Sequence, residues 1–128
     1  MYVKYNVNPR NRKTGDCALR AVAVATGLGW DAAYKGLSDA GFIVKSAMND
    51  VEAIQYFLVD VLGWKEGTVR VPKGSKRPTV ESFSREHPNI YAVLRVAHHI
   101  TCCGKGNYVD IWDCGDCSVY KYWYKEIN

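Results

Sequence analysis

Thr14-Gly15-Asp16-Cys17-Ala18-Leu19-Arg20-Ala21-Val22 reads as a loop turning into a helix whose first residue is a cysteine. Gly15 breaks the polar segment before it, and Asp16 is a good N-cap residue, able to accept a bond from a free backbone N–H. Cys17 then falls in the first helical turn, where unpaired N–H groups and the helix dipole favour thiolate over thiol. Thiolate is the nucleophilic form. The same stretch fits a second role. Cys17, Ala21, Val24 and Leu28 share one helical face, so Cys17 is equally placed as a small core residue.

Outward from this helix, which spans about Cys17 to Thr26 and stops at Gly27, the chain divides by composition. Residues 1 to 6 alternate loosely and suit a short edge strand, and residues 7 to 15 suit a loop. A second helix is expected from Trp30-Asp31 to just before Gly41, with Trp30, Ala33, Tyr34 and Leu37 inward. A third spans about Asn49 to Leu62, with Val51, Ile54, Phe57, Leu58, Val61 and Leu62 at helical spacing. Gly67, Pro72, Gly74 and Pro78 disfavour regular structure in the next segment. Thr79 can cap a short helix from Val80 to His87, stopped by Pro88. From Ile90 onward the runs Tyr91–Val96, His99–Cys103, Tyr108–Trp112 and Val119–Tyr124 are short, β-branched and aromatic. Gly104-Lys105-Gly106-Asn107 marks a hairpin turn. The expectation is one α+β domain over residues 1–128, with N-terminal helices packed on a C-terminal antiparallel sheet.

A chain of 128 residues, 48% of them hydrophobic, is one globular domain rather than a disordered segment. No apolar run approaches the roughly 20 residues of a membrane span. Residues 1 to 6 hold no apolar signal core, so a cytosolic, reducing location is the expectation. Five cysteines, an odd number, argue against a complete disulfide framework. The formal charge of +4 is matched by one segment, in which Lys65, Arg70, Lys73, Lys76 and Arg77 face only Glu66. That describes a charged loop, not a basic protein.

Two further groups complete a chemical pattern. His98-His99 opens one strand of the predicted hairpin and Asp113 closes its partner. A two-residue turn at Lys105-Gly106 sets His98 opposite Asp113, whereas a three-residue turn puts His99 on the face of Asp113. Asp110 lies further along, nearer Thr101, and is the second choice. A cysteine at a helix start, a histidine on a strand and an acid orienting the imidazole are the parts of a thiol acyl-transfer site.

With Gly15-Asp16-Cys17 on a helix, His99-Ile100-Thr101 on a strand and Tyr108-Val109-Asp110-Ile111-Trp112-Asp113 after it, the chain resembles the papain-like cysteine peptidases. It is most similar to small proteins of that fold from bacteriophages and bacteria, and the resemblance runs from Asn8 to about Tyr122. It implies Cys17 as nucleophile, His99 as general base and acid, and Asp113 as the orienting residue. It also implies an amide side chain before the nucleophile for the oxyanion, with Asn11 or Asn8 in place of the family's usual Gln. The implied activity is a thiol hydrolase: a peptidase, isopeptidase, deamidase or acyltransferase acting on a protein or peptide substrate without a cofactor.

Three other readings stand beside this one. Cys102-Cys103 and Cys114-x-x-Cys117 offer four thiols for zinc, but Cys103 and Cys114 lie roughly 20 Å apart along a hairpin, and Cys102 and Cys103 point to opposite faces. No metal site is expected there. The loop from Lys65 to Arg77 offers a surface for nucleic acid or an acidic partner, with Tyr120, Tyr122, Trp123 and Tyr124 as stacking surfaces, although a solvated loop and a half-buried strand explain it without one. Lastly, a papain-like scaffold without activity can serve as a binding protein, such as a phage-encoded inhibitor of a host factor.

Overall fold

A computed structural model describes all of residues 1–128. In chain order the elements are β1 (Tyr2–Lys4), α1 (Cys17–Thr26), α2 (Trp30–Val44), α3 (Val51–Gln55) running into a π-helical segment (Tyr56–Val61), β2 (Lys65–Thr68), α4 (Val80–Glu86), β3 (Ile90–Val96), β4 (His99–Gly104), β5 (Asn107–Asp110) and β6 (Lys121–Glu126). The class is α+β, as expected.

The alanine-rich sequence of α1 favours helix and lets it lie close to its neighbours. Ala18, Ala21, Val22 and Ala25 are buried in the core that α1, α2 and α3 build with Val93, Ile100, Cys102 and Trp123 of the sheet. Gly27 ends α1 in the left-handed conformation (φ 74°), its N–H donating to Val24 O at 3.2 Å. Helix α2 does not stop before Gly41 but runs on to Val44. A Cβ on Gly41 would come within 2.8 Å of the Ser46 carbonyl, so this glycine serves close approach rather than termination. Tyr34, expected inside, is exposed, and Ala40 is buried instead. The wide turn at Tyr56–Val61 rotates the end of the third helix. Phe57 and Leu58 therefore stay buried while Val61 turns outward.

The six strands form one sheet in the order β1-β5-β4-β3-β6-β2. It is mixed rather than wholly antiparallel, because β1 enters beside β5 and runs parallel to it, Tyr2 opposite Tyr108 and Lys4 opposite Asp110. At the other edge, β2 lies in the segment expected to be irregular. Cross-strand ion pairs tie it to β6, Lys65 with Glu126 (3.1 Å) and Lys121 with Glu66 (3.4 Å), as suits a charged edge strand. The second face of the sheet carries its own core, in which Val80 and Phe83 of α4 meet Leu94, Cys103, Cys114 and Val119. Thr79 and Ser82 form the capping box that starts α4.

The hairpin between β4 and β5 turns at Lys105-Gly106, both in the left-handed region (φ 53° and 85°), with Gly104 opposite Asn107. No helix is long and apolar enough to cross a membrane.

Candidate active site

Cys17 is the first residue of α1, so its backbone N–H has no acceptor within the helix. Asp16 precedes it but does not cap α1 with its side chain. Its carboxylate turns inward, accepting from Arg20 one turn later, from Asn8 Nδ2 at 3.1 Å and from Trp30 Nε1 at 3.0 Å. Burial opposes its charge, but the bonds from Asn8 and Trp30 and the Arg20 guanidinium hold its pKa below the ordinary carboxylate value. Arg20 is itself buried, and Nη2 lies 3.5 Å from Asp110 Oδ1 at the end of β5.

Asp110, not Asp113, orients the imidazole. Continuing the β4–β5 register by one residue sets Thr101 opposite Asp110, and His99, two residues along β4, points to the same side. His99 Nε2 and Asp110 Oδ2 are 2.7 Å apart, with the His99 side chain 11% exposed. The Trp112 ring tilts over the imidazole at 4.9 Å between centroids, screening this contact from water. The expectation for Asp113 fails because β5 ends at Asp110 and the chain leaves the sheet there. Asp113 is exposed and accepts instead from the Tyr108 hydroxyl (2.6 Å) and the Gly115 N–H (3.0 Å).

With Nε2 engaged by Asp110, Nδ1 of His99 is the nitrogen left for the Cys17 thiol, which lines the same cleft. Burial disfavours the Cys17 thiolate, but hydrogen bonding to His99 and to the Ile100 backbone outweighs it and lowers the thiol pKa. Burial likewise disfavours the imidazolium. Hydrogen bonding to Asp110, Cys114 and Cys17 overcomes this and pushes the His99 pKa up to about 11. Asp110 is lowered in turn: burial raises it, and bonds from His99, Thr101 and the Ile111 N–H prevail. Asp110, His99 and Cys17 thus each favour the charged form of their neighbour. His98 belongs to the β3–β4 turn, at φ 56°, and stands outside this chain of contacts.

Of the two amides expected for the oxyanion, Asn8 is engaged elsewhere and Asn11 is not joined to α1. Asn8 is buried, donating to Asp16 and accepting from the Arg10 N–H (2.9 Å). Asn11 is exposed in the left-handed region (φ 51°), and no hydrogen bond joins its side chain to α1. The backbone N–H of Cys17 is the donor beside its own thiol.

Of the remaining thiols, Cys102 and Cys103 fall in separate cores on opposite faces of the sheet. Cys114 is buried beside the site, its Sγ 3.6 Å from Asp110 Oδ2 and 3.5 Å from Thr101 Oγ1. His99, Asp110 and Cys114 place ligand-type atoms within 4.8 Å of one another. A zinc ion at its usual bond lengths would hold two such atoms about 3.3 Å apart. The 2.7 Å separation of His99 and Asp110 is that of a shared proton, and Arg20 beside Asp110 opposes a further dication. These three residues could hold a metal only by giving up that hydrogen bond.

Arg20 and Trp112 were not among the expected site residues. The i, i+4 spacing of Asp16 and Arg20 was the available signal for the first. For Trp112, adjacency to Asp110 and Asp113 was the only one.

No protein-family model, no curated protein and no solved structure matches the chain.

Proposed function

We propose that this protein is a papain-like thiol hydrolase in which Cys17 is the nucleophile, His99 the proton carrier and Asp110 the orienting acid. The observation that supports it best is the seating of His99 between Asp110, on Nε2 at 2.7 Å, and the Cys17 thiol at a helix start. A cysteine kept only for packing needs no such partners.

The chemistry follows from these positions. The Cys17 thiolate attacks the carbonyl carbon of an amide, and the oxygen, now negative, takes the Cys17 N–H. His99 gives the Nδ1 proton to the leaving amine as the C–N bond breaks, leaving a thioester on Cys17. Water then attacks the thioester, losing its proton to His99, and the carboxylic acid departs with the thiolate restored. Asp110 fixes the ring orientation and balances the imidazolium charge throughout.

Acylation of Cys17 by p-nitrophenyl acetate, followed by intact-protein and peptide mass spectrometry, tests this reading. A burst of nitrophenolate with one acetyl group on Cys17, lost in His99→Ala, is expected. Acylation no faster than that of a free thiol would remove the enzyme reading.

A further inference from the structure

The cleft beside Cys17 contains cations but no acid. It encloses about 470 Å³, and its polar wall consists of Cys17, Asn49, Arg95, His98, His99 and Tyr120. Arg95 projects from β3 and is exposed, and no carboxylate of the chain pairs with it. Half-buried Lys121, opposite Arg95 on β6, is paired with Glu66 at 3.4 Å. An unpaired guanidinium in a cleft that ends at a nucleophile is available to a substrate carboxylate, which it can bind with two parallel hydrogen bonds.

A separate observation extends the same charge beyond the cleft. Arg77 stacks on Tyr120, its guanidinium carbon 4.4 Å from the ring centroid. Its Nη1 donates to Val69 O at 2.7 Å, and the Val69 N–H donates to Tyr120 O at 3.0 Å. Both ends of the loop 69–78 are thereby fastened to the cleft wall. That loop holds Arg70, Lys73, Lys76 and Arg77 and no acid. Tyr120, the one phenol ring of the wall, is covered by Arg77 on one face.

We infer that the substrate is an acidic peptide segment, with one carboxylate on Arg95 next to the scissile amide and further carboxylates along loop 69–78. This specificity rests on Cys17 being the nucleophile.

Two alkylating agents of nearly equal size test it without a known substrate. Iodoacetate carries the charge that Arg95 would bind, whereas iodoacetamide does not. In the wild type the rate ratio of iodoacetate to iodoacetamide at Cys17 should be high. In Arg95→Gln it should fall about five-fold or more with the iodoacetamide rate unchanged. The wild-type ratio should also fall as salt rises from about 20 to 300 mM. The peptide acetyl-Ala-Glu-Glu-Glu-Glu-Ala-amide should slow the iodoacetamide reaction, its lysine counterpart should not, and Lys73→Gln with Lys76→Gln should weaken that protection. A fast iodoacetamide reaction whose ratio ignores Arg95 would overturn the inference, as would protection by oligothymidylate but not by the acidic peptide. A slow iodoacetamide reaction in the wild type would instead defeat the nucleophile. Anisotropy of the labelled acidic peptide, which needs no reactive thiol, then decides the ligand class: absence of binding sensitive to Arg95→Gln overturns it.

Discussion

Arg20 Nη2 stands 3.5 Å from Asp110 Oδ1 while the same guanidinium holds Asp16 at the start of α1, so one buried cation joins helix α1 to strand β5. Replacing Arg20 by Met would leave buried Asp16 without its counter-ion and Asp110 with His99 alone. A loss of about 3–5 kcal/mol is expected, read as a lower urea midpoint at unchanged slope. A cost below about 1 kcal/mol would mean that solvent already screens the pair.

Asp110 and Asp113 separate cleanly by substitution. Asp110→Asn removes the charge that faces His99 and should slow Cys17 alkylation at neutral pH by an order of magnitude or more. Asp113→Asn touches only the Tyr108 and Gly115 contacts and should leave that rate unchanged. Equal effects would return Asp113 to the site.

The pH dependence of alkylation should show the ion pair directly. Because the Cys17 pKa is lowered, its reaction with iodoacetamide should stay fast well below the usual thiol range near 8.5. In His99→Ala the buried thiol loses its partner, and the reaction should move to higher pH than that of a free cysteine. Peptide mapping of the alkylated protein would measure both profiles.

Stability against pH carries opposing contributions. His99 is raised from an ordinary 6.5 to about 11, so its stabilisation is complete below 6.5 and disappears as pH rises through about 11. Cys17 is lowered, so its stabilisation is complete above about 8.5 and disappears as pH falls through its folded value. The two slopes oppose one another above about 6.5 wherever Cys17 also titrates, up to about 8.5. Above that window the His99 loss remains, joined by that of the buried thiols Cys102 and Cys103, whose raised pKa values favour the unfolded chain once pH passes the ordinary thiol range, and unfolding midpoints should fall toward pH 11. At the acid end, Asp16 and Asp110 are both lowered, so their contribution is present above about 3.9 and lost below it. His99→Ala should make the alkaline limb shallower, leaving the share of Cys102 and Cys103, and should weaken the acid limb only by the share that Asp110 owes to His99. An unchanged alkaline limb would contradict the pairing.

Thiol labelling should rank the cysteines by environment. Burial raises Cys102 far above the thiol range and pushes Cys103 up to about 12, and Cys114 is 1% exposed. At neutral pH only Cys17, followed slowly by half-buried Cys117, should react, and the other three only after denaturation. Rapid labelling of Cys114 would show that the site opens.

Much of this arrangement is legible along the chain because it is local. Gly15-Asp16-Cys17 marks the helix start, Thr79 the cap of α4 and Lys105-Gly106 the hairpin turn, each through backbone preferences of a few residues. What escaped depends on tertiary packing. Asp110 and Asp113 differ only in where β5 stops, which the strand's own sequence does not signal. Asp16 looks like a cap, and only the burial of Arg20 and Trp30 around it reveals a buried acceptor. The edge strands β1 and β2 are too short to declare themselves without their partners.

The parallel pairing of β1 with β5 joins residues more than 100 positions apart, Tyr2 with Tyr108 and Lys4 with Asp110. Contacts of such separation form late and slowly, because a long loop must close first. During synthesis Cys17 leaves the ribosome well before His99 and Asp110 are made. Until then its thiol has neither base nor counter-ion and behaves as an ordinary cysteine. Under the proposed role of Cys17, chain order keeps the sulfur unactivated until the domain that confines it has closed.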